Sequence, residues 1–224
     1  MSIVPYEFLR KHWKFECFLI VFSAFILLPS SVGAQQLEDM FRAALEGDLA
    51  TIKRGLDRGL DADSTDPDGN SLLMLAARAP HKPVVELLLA RKASVTRRNK
   101  FGDTPLLVAA VSGDTQVAGW LLERGAPLGG EGWLPLHYAA FAGKAEMAKF
   151  LIAKGADKNA LAPNGFTALM LAARGGHVEA ARVILFEDPD VNHRTESGDT
   201  ALKIALQKDL KAVADLLRRA GAVE

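Results

Sequence analysis

The sequence predicts an all-α solenoid: stacked helix–turn–helix units joined by hairpin loops and preceded by an N-terminal signal helix. Three observations carry the prediction. A glycine recurs at Gly69, Gly102, Gly132, Gly165 and Gly198, at intervals of 33, 30, 33 and 33 residues. Each opens the same frame, as in Gly102-Asp-Thr-Pro-Leu-Leu-Val-Ala-Ala110 and Gly165-Phe-Thr-Ala-Leu-Met-Leu-Ala-Ala173. A second apolar run follows each frame with spacing of three and four residues, as in Val117-x-x-Trp120-Leu121-Leu122 and Met147-x-x-Phe150-Leu151-Ile152. A fixed period of this length is the mark of a repeat array, in which one unit cannot bury its own apolar face but stacked neighbours can.

The elements follow in chain order. The first 34 residues begin with Arg10, Lys11 and Lys14, continue with the apolar run Phe18 to Leu28, and end in Val32-Gly33-Ala34. This is the three-part pattern of a secretory signal peptide, with cleavage expected after Ala34. Glu16 and Pro29 bracket a run shorter than the roughly 20 apolar residues of a membrane span. The expected location is therefore the periplasm. The rival arrangement is an uncleaved segment anchoring the domain to the inner membrane, and membrane contact is expected only in that case.

The repeats then occupy residues 35–66 as an N-terminal cap, 67–99, 100–129, 130–162 and 163–195 as full units, and 196–224 as a C-terminal cap. Ala43-Ala44 lies 33 residues before Ala76-Ala77 and marks the divergent first copy. Within a unit the turn glycine suits positive φ. Ser71, Thr104, Thr167 and Thr200 are N-caps, and Pro105 suits the first helical position. Leu73, Leu106, Leu136, Leu169 and Leu202 should point inward, and the paired alanines should let helices approach closely. Gly113, Gly143 and Gly176 separate the two helices, while Gly125 and Gly155 end the second. Three departures are visible. The unit at 130–162 has Leu134 at the cap position and follows a hairpin three residues short. Pro80 and Pro83 should pinch the inter-helix loop of the unit at 67–99. The last unit carries Lys203, Lys208, Lys211, Arg218 and Arg219, as befits a solvated end.

The frame Gly102-Asp-Thr-Pro-Leu-x-x-Ala-Ala110 and the later Lys154-Gly-Ala-Asp-x-Asn159 resemble the ankyrin repeat. The resemblance covers about residues 37 to 224. It implies a binding scaffold whose partners sit on a concave face made of hairpin tips and the exposed side of the first helices. It also implies that His137, in the Thr-Pro-Leu-His column, bonds backbone between units.

Composition narrows the function. Lys plus Arg (27) balance Asp plus Glu (27), so no general nucleic-acid surface is expected. Cys17 is the single cysteine, which excludes an internal disulfide and a cysteine-based zinc site. His81 and His177 share a repeat column, and no His-x-x-x-His spacing exists. No nucleophile elbow appears, and Gly175-Gly176 is an inter-helix loop rather than a phosphate loop. Asp61, Asp63, Asp66 and Asp68 do not match a calcium loop and suit self-bonded turns. The expectation is therefore no catalytic residue, no cofactor, no metal and no small-molecule substrate, with a protein partner instead. An enzyme of unrecognised type is the remaining rival.

Exposed positions of the middle units supply the candidate interface: Arg98, Lys100, Phe101, Trp133, Phe141, Phe166 and Arg174. Aromatics flanked by cations on one stripe have the chemistry of a binding hot spot. The competing arrangement has Trp133 folded onto its neighbours, covering Phe101 and Phe166.

Overall fold

The computed structural model describes residues 32–79 and 81–223. The signal segment expected at 1–34 lies outside the described residues apart from its last three, and so does Pro80. Twelve helices are found among the described residues, in six successive pairs. They are α1 (Val32–Glu46), α2 (Leu49–Asp57), α3 (Leu72–Arg78), α4 (Lys82–Ala90), α5 (Pro105–Ser112), α6 (Thr115–Glu123), α7 (Pro135–Phe141), α8 (Ala145–Ala153), α9 (Ala168–Gly175), α10 (Val178–Phe186), α11 (Ala201–Gln207) and α12 (Lys211–Arg219). The odd-numbered helices pack one on the next along the array, each also against its own second helix. The one β pairing among the described residues is an isolated bridge between Thr65 and Ser71. The fold is all-α.

Local chemistry explains where the first helices begin. Ser71, Thr104, Thr167 and Thr200 each accept a hydrogen bond from the backbone N–H three residues on, at 3.1–3.3 Å. Such a cap contributes about 1 kcal/mol. Leu134 has no oxygen to offer. Its own N–H instead donates to His137 Nδ1 at 3.1 Å. Four hairpins close with a bond between their flanks: Asp66 to Asn70, Asn99 to Asp103, Ala162 to Phe166 and Thr195 to Asp199, N–H to carbonyl at 2.9–3.0 Å. The short hairpin before α7 has no equivalent bond between Gly129 and Trp133, and Leu128 packs against the core instead.

Packing follows the repeat columns. Leu73, Leu106, Leu136, Leu169 and Leu202 are buried, as are the alanine pairs from Ala43-Ala44 to Ala172-Ala173. Methyl-sized side chains at these positions bring successive helices together. One expectation needs correction: Pro83 lies in the first turn of α4, where a missing N–H costs nothing, rather than in the preceding loop.

The second helices start at a column occupied by Asp48, His81, Asp114, Lys144, His177 and Leu210. Asp48 and Asp114 cap their helices through the side chain. Lys144, His177 and Leu210 each lie over the inter-helix glycine of the unit before, as His81 lies over Gly47. A Cβ on Gly143 would come within 2.6 Å of His177 Nδ1, and Gly143 has φ +67°. The glycine is required there by both contact and conformation.

Candidate functional site

The face formed by hairpin tips and the ends of the first helices is built on a chain of buried and half-buried polar groups. Asp66 accepts from the backbone of Asp68 and Asn70 and from Asn70 Nδ2, at 2.8–2.9 Å. Asn70 Oδ1 in turn accepts from Asn99 Nδ2 at 2.8 Å. Asn99 Oδ1 accepts the backbone N–H of Phe101 and of Asp103, at 3.0 and 2.8 Å. Tyr138 Oη donates to Asp103 Oδ1 at 2.7 Å. The chain therefore links three consecutive units. Burial, then the Asp103 charge and the bond to it, push the Tyr138 phenol far above its ordinary value.

The histidines also join units. His137 Nε2 lies 2.9 Å from the Ala160 carbonyl. Because Nδ1 accepts from Leu134, the ring is neutral with its proton on Nε2. Burial lowers its pKa, opposed by the Ala160 carbonyl and the charge of Asp157. His81, His177 and His193 reach back to the carbonyls of Leu45, Phe141 and Gly165 at 2.7–3.0 Å.

Each expected interface residue has a definite place. Phe101 is 44% exposed at the tip of its hairpin. Arg98 Nη1 donates to the Gly102 carbonyl at 2.7 Å and so braces that same tip. Lys100 has an exposed side chain, and its N–H donates to the Asp68 carbonyl of the unit before at 3.0 Å. Trp133 is half-buried and meets His137 and Tyr138 edge-on, with centroids 6.0 and 6.2 Å apart. Phe166 is half-buried, with the Arg174 guanidinium 5.9 Å from its ring centroid. Phe141 is half-buried at the end of α7. Trp133 and Phe166 occupy the column that holds Asn70, Asp103 and Asp199 in other units, so the middle of the face is apolar where its ends are polar. Asp199 is held below the usual carboxylate range by Lys203 and then by the Ser197 hydroxyl.

Sequence reasoning missed Asn70, Asn99, Asp103 and Tyr138 as a group. A polar residue after three of the five turn glycines, Asn70, Asp103 and Asp199, was the available signal. In the Asp61–Asp68 segment Asp61 Oδ1 accepts the Asp63 N–H at 2.9 Å in a local turn, whereas Asp63 Oδ1 reaches into the next unit and accepts the Ser94 N–H at 2.7 Å. Among the described residues, no group of three or more His, Cys, Asp or Glu is placed to hold a metal ion. Every buried side-chain N or O among them has a hydrogen-bond partner.

Stacked helix pairs with hairpins between them and capped first helices define a repeat scaffold. The chain belongs to the ankyrin-repeat family: a model described as ankyrin repeats in three copies matches residues 40–130, 92–162 and 136–223. An ankyrin repeat protein of Rickettsia bellii (strain RML369-C) is 32% identical over 145 residues, covering 59% of this chain and 41% of that protein. A Caenorhabditis elegans homolog of transient receptor potential cation channel subfamily A member 1 is 31% identical over 132 residues, covering 58% of this chain and 11% of the channel. The chain thus spans less than half the length of either relative. The ankyrin repeat domain of human ASB11 superimposes with a TM-score of 0.77 at 27% identity, over 82% of this chain and 84% of that domain. Folds of this kind typically serve as protein-interaction scaffolds.

Proposed function

We propose that this chain is a non-catalytic scaffold that works outside the cytoplasm and binds a partner protein through the middle of its hairpin and first-helix face. One observation carries the reading. Phe101, Trp133, Phe141 and Phe166 retain accessible surface on that face, beside Lys100 and Arg174, while the polar groups around them are already bonded within the scaffold. A rigid surface of aromatics and cations loses little freedom on binding, and such groups dominate interface energies. The basic and apolar run of residues 1–34 supports export. The paired variant Trp133→Ala/Phe166→Ala tests the patch: affinity for crosslinked partners should fall at least about tenfold, the ordinary effect of losing anchors of this kind. Unchanged affinity for every partner would refute it.

A second reading, an anchor retained in the inner membrane, draws on α1, which begins at Val32 and runs unbroken past Ala34. Among the described residues no helix is long and apolar enough to cross a membrane. Mass spectrometry of the purified protein's N-terminus separates the two: Gln35 supports the released form, Met1 or Ser2 the anchored one.

A further inference from the structure

A row of residues at the C-terminal ends of the first helices extends the binding face, and Val108 of α5 and Tyr138 of α7 are partly exposed as well. In α3 every side chain is buried except Arg78. The equivalent positions are Val111 in α5, Phe141 in α7 and Arg174 in α9, each partly exposed. The row therefore reads cation, aliphatic, aromatic, cation. Among the described residues no carboxylate lies within 4.0 Å of either terminal guanidinium. Arg174 leans over Phe166, which fixes the position of its charge beside an apolar surface. The hairpin tips of these units carry Asp68 and Glu131, so the positive charge belongs to the ends of the row and to Arg98 and Lys100 of the second tip.

From this arrangement we infer the chemistry of the partner: an extended protein segment that carries two carboxylates on either side of one or two apolar side chains. The inference rests on the protein-binding reading of this face and adds ligand class and spacing to it. The spacing comes from packing geometry. α3, α5, α7 and α9 touch in succession. Neighbouring helices pack about 8–10 Å apart, so the two guanidinium-bearing ends stand roughly three such steps, ~24–30 Å, apart. An extended chain rising about 3.3 Å per residue covers that length in roughly seven to nine residues. The apolar side chains between the carboxylates would lie against Val111 and Phe141, with Trp133 and Phe166 alongside. Arginine suits both ends because its planar donors take a carboxylate in a bidentate fork, a strong and directional contact.

The test uses the full chain and a displayed library of random twelve-residue peptides, followed by binding measurements on the selected peptides made synthetically. Selected sequences should be enriched in two acidic residues about seven to nine positions apart with apolar residues between them. Arg78→Glu and Arg174→Glu should each weaken binding of such a peptide on the order of tenfold, the scale of a charge-pair reversal at an interface. Both positions lie on the surface, so a thermal melt should show these variants folded. Arg174→Glu should also shift renewed selection toward a basic residue at one end only. Selection of peptides without the acidic pair, or an equal response to both arginine reversals and to a Lys211→Glu control, overturns the inference. So does competition by a single-stranded DNA oligonucleotide at the peptide's own concentration, which would mark undirected charge attraction. Peptides that lack the acidic pair yet lose binding in Trp133→Ala/Phe166→Ala overturn the spacing rule and leave the patch standing. Peptides insensitive to all four residues overturn both.

Discussion

At the residue scale, His137 and Tyr138 do more than their neighbours in the same columns. His137 makes the reciprocal half of a capping pair and ties α7 to the next hairpin, accepting from the Leu134 N–H and donating to Ala160. Replacing it with alanine strands both backbone groups and should cost about 2–3 kcal/mol, on the basis of two lost hydrogen bonds, measured by urea unfolding. Its titration has a defined sign. Burial depresses the folded pKa below the unfolded value of 6.5. The ring's contribution is then fully present above pH 6.5 and is lost as pH falls through the folded pKa. The stability difference between the wild type and His137→Gln should shrink between pH 7 and pH 5; a constant difference would show that His137 titrates normally. Tyr138→Phe should cost about 1–3 kcal/mol in the same assay, the penalty for a buried acceptor left without its donor, because Asp103 Oδ1 loses the phenol.

At the element scale, the inter-helix glycines decide how units join. Gly143→Ala drives a Cβ to within 2.6 Å of His177 Nδ1, in a left-handed conformation. Gly125 has φ +87° with nothing within 4 Å. Gly125→Ala should therefore carry only the backbone penalty of about 1 kcal/mol, and Gly143→Ala should cost clearly more. Adding His177→Ala to Gly143→Ala should recover the excess, a coupling that a double-mutant cycle measures. Equal costs at the two glycines would contradict this account of the junction. Elements set by neighbouring residues were legible in the sequence: the serine and threonine caps, the inward leucines and the turn glycines all depend on contacts a few positions away. Pro83 was misplaced because the loop and the first helical turn both accept proline. The chain from Asp66 to Tyr138 was not legible, because its links join residues 29 and 35 positions apart and depend on how two hairpins meet. The partial exposure of the candidate aromatics was expected from their places in the repeat, whereas the edge-on seat of Trp133 against His137 and Tyr138 depends on side-chain packing that the repeat pattern does not specify.

At the scale of the molecule, stability is a sum over units and the interfaces between them, while the proposed recognition surface is confined to the middle of the array. The interior is filled by alanine and leucine contacts, and buried polar groups such as Asn70, Asn99 and His137 bond between units. The two sides of the solenoid differ in a measurable way. Phe101 and Asn164 stand on hairpin tips, whereas Glu123 and the 88%-exposed Phe186 close second helices. A photo-crosslinking amino acid placed singly at positions 101, 164, 123 and 186 of the full chain, irradiated in intact cells, separates these sides. Protein adducts at 101 and 164 with none at 123 and 186 are the predicted result; adducts confined to 123 and 186 would contradict a binding face built from hairpins and first helices.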